Sequence, residues 1–216
     1  MYVSPLESFP SALLSLLLVM AVHSSRTISL CRSQNCGIPL QQSLKLTRLI
    51  HKESVELIRT YKASQGAMSE LFCKSSSSEV PKPKISGLEP SERLVSVSSI
   101  LQSFLPHFQR VLEQQTDLQS PSSRLLTELS NVRNRSTSLA SVINCLYQNL
   151  FPNLPAPEPA EGPTQLPPPQ NIFQQKVYGC VVLRRFKEFL LNVARELRTL
   201  KGRVCRRPPA NAFFRR

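Results

Sequence analysis

Three features of this 216-residue sequence predict an all-α chain folded as an up-up-down-down four-helix bundle. Apolar residues recur at spacings of three and four, and no stretch alternates at period two over the length of a strand. The segments between the helical stretches run long, short, long, which two crossover connections require; an up-down-up-down bundle is served by three short loops. The six cysteines group sensibly at the two ends of such a bundle, whereas the alternating order would carry Cys145 away from Cys36.

Residues 1–24 read as a secretory signal. SALLSLLLVMAV, at 11–22, has the length of a signal h-region and is too short to span a bilayer, and the small residues Ser24 and Ser25 follow it. The preceding MYVSPLESFP departs from the usual pattern, with Glu7 and no Lys or Arg. The helical domain then occupies 25–205. Secretion exposes Cys31, Cys36, Cys73, Cys145, Cys180 and Cys205 to oxidising conditions, where they pair. No C-x-x-C occurs and His23, His51 and His107 are scattered, a pattern without zinc-ligand spacing.

The first helix is expected over 39–65, with Leu40, Leu44, Ile50, Val55, Ile58 and Tyr61 inward and Gly66 ending it in a left-handed cap. The second, over 90–116, turns Leu94, Val97, Leu101, Phe104, Phe108, Val111 and Leu112 inward. Pro106 removes a backbone donor and crowds the Gln102 carbonyl, which predicts a kink. The third, over 121–149, opens on Ser120 as N-cap and Pro121 in the first turn, then sets Leu125, Leu129, Val132, Leu139, Ile143 and Leu146 on one stripe. The fourth, over 171–201, opens on a capping box of Asn171 and Gln174, buries Leu183, Phe186, Leu190, Val193, Leu197 and Leu200, and closes at Gly202. Gly179 costs about 1 kcal/mol of helix propensity, a cost expected to admit the loop that carries Cys73.

A helix of this length spans about 40 Å, so a return crossover needs roughly a dozen extended residues. Segment 67–89 and the proline-rich LFPNLPAPEPAEGPTQLPPPQ at 150–170 both suffice, while the link near Leu118 is short. In that order Cys73 and Cys180 lie at one end; Cys36, Cys145, Cys31 and Cys205 lie at the other. The predicted bridges are Cys73 with Cys180, Cys36 with Cys145 and, on geometry alone, Cys31 with Cys205.

Lys and Arg number 27 against 14 Asp and Glu, a net charge of +13, and eleven of the bases fall between Arg184 and Arg216 beside only Glu188 and Glu196. Such a region suits an acidic glycan of the heparan type; a merely solubilising, disordered tail over 206–216 is the competing reading. No aromatic-interleaved basic motif points to nucleic acid. Nucleophile elbow, phosphate loop, H-E-x-x-H and dinucleotide fingerprint are all absent from the sequence, so neither an enzyme nor a cofactor is expected.

The segment NIFQQKVYGC at 171–180 resembles the opening of the last helix in the leukaemia inhibitory factor and oncostatin M group of interleukin-6-type cytokines, where Phe-x-x-Lys precedes Gly-Cys. RTYKASQG at 59–66 resembles the end of that family's first helix, Cys73 follows at the family's distance, and VINCLYQNL at 142–150 resembles its cysteine-bearing third helix. The bridges Cys36–Cys145 and Cys73–Cys180 agree with the family; Cys205 departs from it. The resemblance implies a secreted, monomeric, long-chain cytokine that brings together class I cytokine receptors, one like the leukaemia inhibitory factor receptor and one the shared signal-transducing chain, and so triggers JAK/STAT signalling. It implies a third receptor site at Phe173 and Lys176, and a second on outward faces of the first and third helices, with Gln42, Lys45, Ser138 and Ser141 as candidates. Val142 stands where the family carries a polar residue.

Helical phase sets Phe173 about a fifth to a third of a turn off the core stripe. Lys176 lies in the first turns, where the helix dipole disfavours a cation. Both placements suit a partner, with the prolines at 167–169 stiffening the approach. The competing reading makes Phe173 a staple against the crossovers and Lys176 a solvated charge. Asn134-Arg-Ser136 is a glycosylation sequon. A secreted amphipathic-helix protein that binds lipid or membranes through its apolar stripes is the alternative function.

Overall fold

A computed structural model describes residues 37–75, 78–157, 166–168 and 170–204. The signal at 1–24, Cys31, Cys36, Cys205 and the tail at 206–216 lie outside these described residues. The described elements are α1 (Gly37–Gln65), α2 (Ser69–Phe72), α3 (Pro90–Leu118), α4 (Arg124–Leu150) and α5 (Ile172–Val204), and no strand occurs among the described residues. None of these helices is long and apolar enough to cross a membrane.

Contacts between helix ends fix the order. Tyr61 near the end of α1 donates to the Lys176 carbonyl at the start of α5, so those two helices run antiparallel. Arg93 at the start of α3 donates to Glu196 late in α5, and Ser98 early in α3 donates to Asn144 late in α4. Gln65 and Gln115, the ends of α1 and α3, share a buried hydrogen bond of 2.8 Å. Hence α1 and α3 run up together, α4 and α5 run down, and each upward helix packs on both downward ones.

The apolar stripes meet in one core. Every inward residue expected on α4 and α5 is buried, as are those of α3 apart from half-buried Leu112. α3 runs unbroken through Pro106. These stripes face one another.

Four local expectations are corrected. Val55 points outward, 43% exposed, and Leu57 takes the core position. The stripe of α1 includes Ser43, Thr47 and Ser54, buried because each hydroxyl donates to the carbonyl four residues back. α4 begins at Arg124, with Ser123 as its N-cap accepting from the Leu125 amide. Ser120 and Pro121 instead form a turn closed by the Ser123 amide on the Ser120 carbonyl, a geometry for which proline in second position is equally suited. α5 continues past Gly202 to Val204, since one glycine in a helix costs only about 1 kcal/mol. The fourth correction concerns Gly179, whose nearest neighbours are atoms of the Tyr61 side chain rather than the loop carrying Cys73.

Candidate functional site

The end of the bundle where α1 finishes and α5 begins is built in layers. Gly66, at φ 92°, stops α1 in the left-handed conformation that a residue without Cβ adopts freely. The chain then makes the single turn of α2 and reaches Cys73, which is bonded to Cys180 with the Cα atoms 5.3 Å apart. Asn171 and Gln174 cap α5 reciprocally: the Gln174 amide donates to Asn171 Oδ1 at 2.9 Å and the Asn171 amide to Gln174 Oε1 at 3.0 Å.

Beneath this surface lies a buried polar layer. The Tyr61 hydroxyl donates to the Lys176 carbonyl at 3.0 Å, and burial raises its pKa above the ordinary phenol value. His107 Nδ1 and the Tyr178 hydroxyl share a hydrogen bond of 2.6 Å, and burial lowers the imidazole pKa to about 4, so it is neutral at physiological pH. Gln114 donates to Gln170, tying α3 to the second crossover.

Phe173 sits on top, 61% exposed, its ring edge-on to Phe72 with centroids 6.0 Å apart. One part of the ring is thus packed on the first crossover, as a staple would be, and the remainder faces solvent. Lys176 is half-buried, and its ammonium donates to the Gln65 carbonyl at 3.4 Å, at the end of α1 where the dipole favours a cation. Ser75, Glu79, Pro167, Gln170 and Tyr178 line a shallow groove beside Phe173. Sequence reasoning missed Phe72, and with it Met68 and Leu71, which are 63% and 61% exposed on or beside α2. The signal was available in GAMSELFC at 66–73, where large apolar residues surround a single helical turn too short to bury them all.

The other candidates are more scattered. Gln42 and Lys45 are exposed in the first turns of α1; Ser138 and Ser141 are exposed on α4, their hydroxyls donating to carbonyls of their own helix. Asn134 is exposed on the same helix. Cys145 is disulfide-bonded, while the partner expected for it, Cys36, and the expected Cys31–Cys205 pair lie outside the described residues. Of the basic cluster, Arg184 and Arg185 are already engaged: they donate to the Ser75 and Val80 carbonyls of the first crossover. Arg195, Arg198 and Lys201 remain exposed.

A sequence model of the LIF / OSM (leukaemia inhibitory factor / oncostatin M) family matches residues 39–197. No curated protein and no solved structure matches the chain.

Proposed function

The chain belongs to the LIF / OSM family of cytokines, and from that premise we propose that it is secreted as a monomer and brings two class I cytokine receptors together to start JAK/STAT signalling. One receptor, like the leukaemia inhibitory factor receptor, docks on Phe173 and Lys176. The shared signal-transducing chain docks on Gln42 and Lys45 of α1 with Ser138 and Ser141 of α4. The observation that carries the reading is Phe173, an aromatic ring mostly exposed yet held edge-on by Phe72 above a disulfide. An exposed aromatic anchor fixed before docking loses little freedom on binding, and such residues dominate the energetics of protein interfaces. Lys176 lies three residues on, half-buried with its ammonium at the end of α1, and adds a positive charge beside the ring. The exposed Arg195, Arg198 and Lys201 support a weaker, salt-sensitive attachment to heparan-type glycans.

Binding of the oxidised protein to immobilised leukaemia inhibitory factor receptor ectodomain tests this. Phe173→Ala with Lys176→Ala should weaken binding about 100-fold, the scale of a lost hot spot, with an unchanged helical spectrum. Equal binding by both proteins would reduce Phe173 to a staple for the crossover. Absence of binding by the wild type would send the receptor assignment back to other class I chains.

A further inference from the structure

The sequon on α4 lies inside the face assigned above to the shared receptor chain. Asn134, Ser138 and Ser141 fall at i, i+4 and i+7, one stripe of a helix, and all three are exposed. The Ser138 hydroxyl donates to the Asn134 carbonyl at 3.3 Å, so the two residues are stacked one turn apart. Neighbouring outward residues, Asn131 and Thr137, are short and polar.

We infer that Asn134 carries an N-linked glycan and that this glycan bars the shared signal-transducing chain from α4, leaving the Phe173 end free. The inference rests on the receptor reading given above. One partner's share of an ordinary interface is about 800 Å², a disc of about 16 Å radius. Side chains one helical turn apart are separated by roughly 5–6 Å. A glycan on Asn134 is thus rooted well inside any patch centred on Ser138 and Ser141, and a receptor cannot seat around it as it would around a glycan at the rim.

The structure also dictates when the modification happens. Ser136, the hydroxyl residue of the sequon, is fully buried, and its hydroxyl donates to the Val132 carbonyl at 2.7 Å. A folded α4 therefore hides the sequon from the transferase, and transfer precedes helix formation. In that step the Asn134 amide nitrogen bonds to the anomeric carbon of a lipid-diphosphate-linked oligosaccharide and loses a proton; the bond from that carbon to phosphate oxygen breaks, and the lipid diphosphate departs with the proton. Folding competes with transfer, so secreted material divides into glycosylated chains that engage one receptor and bare chains that engage both.

The test uses the full chain secreted from cultured animal cells, fractionated by intact mass, beside the same material after enzymatic deglycosylation and beside Asn134→Gln. Each form is bound to leukaemia inhibitory factor receptor ectodomain, and the soluble shared chain is then added. The expected result is equal first binding by all forms, with recruitment of the shared chain at least about tenfold weaker for the glycosylated fraction and restored by deglycosylation and by Asn134→Gln. Sugar absent from Asn134, or a glycosylated fraction that recruits as well as the bare one, overturns the proposal. Failure of every form to bind the first receptor is a different result, which brings down the receptor reading and this inference with it.

Discussion

Gly179 shows how much one missing Cβ decides. A methyl group there would stand 2.7 Å from Tyr61 Cζ and closer still to the hydroxyl, which is committed to the Lys176 carbonyl. Tyr61 is fully buried and cannot swing aside. Gly179→Ala should destabilise the protein by about 1–3 kcal/mol even after alanine's gain of ~1 kcal/mol in helix propensity. Denaturant unfolding measures it, and Tyr61→Phe in the same background should recover part of the loss; a Gly179→Ala protein as stable as wild type would mean that α1 and α5 separate freely at this point. The glycine's cost was legible in the sequence because it interrupts a strong helix beside a cysteine. Its beneficiary was not, since sequence separation is silent on which helix face crosses which. Ser43, Thr47 and Ser54 were illegible for another reason: a hydroxyl bonded within its own helix packs as a small side chain, while hydropathy counts it as surface.

Among the elements, the first crossover owes its path to α5. Ser75, Val80 and Pro83 offer carbonyls that α5 satisfies with Arg184, Arg185 and Asn192, while Val80 itself is inserted into the core. Pro81 and Pro83 have no amide to satisfy, so a segment outside any helix leaves fewer orphan donors against the bundle. Farther along, Arg93 donates to the Gly87 carbonyl at 3.3 Å as well as to Glu196. Arg184→Met with Arg185→Met keeps much of the apolar stem and removes the donors. It should raise amide exchange across 78–88 by at least about tenfold, the equivalent of 1–3 kcal/mol for carbonyls left unpaired, while α4 stays protected. Unaltered exchange would assign the strap to Val80 and the disulfide alone. The helices were largely legible because their stripes are long and periodic. The strap was not, because a cluster of arginines reads as surface charge until the carbonyls they serve are known, and the onset of α4 was missed because Pro121 suits a turn as well as the first turn of a helix.

For the whole molecule, the lengths of the connections pointed to the topology, since a chain returns to the starting end of a long helix only by a long crossover, whereas the Cys73–Cys180 bridge fits either order. What those cues could not reveal is that the Cys73–Cys180 end is also closed by the pairs Gln65–Gln115, Gln114–Gln170 and His107–Tyr178, polar side chains whose partners lie on other elements. The bridge and this layer divide the labour differently. The bridge closes a separation of 107 residues, for which chain entropy gives about 4–5 kcal/mol as an upper figure. At roughly 2–4 °C per kcal/mol in a chain of this size, Cys73→Ser with Cys180→Ser should lower the melting temperature by about 8–20 °C. The polar layer constrains the folded state, so the variant should keep its helical content below that temperature. Phe72 is next to Cys73, and Phe173 lies seven residues before Cys180 on the same face of α5, so the ring pair should be the first contact to loosen, and receptor affinity should fall before helicity does. Calorimetry paired with receptor binding on the same variant separates the roles: a melting shift of only a few degrees with affinity intact would show that the glutamine and histidine pairs hold this end unaided.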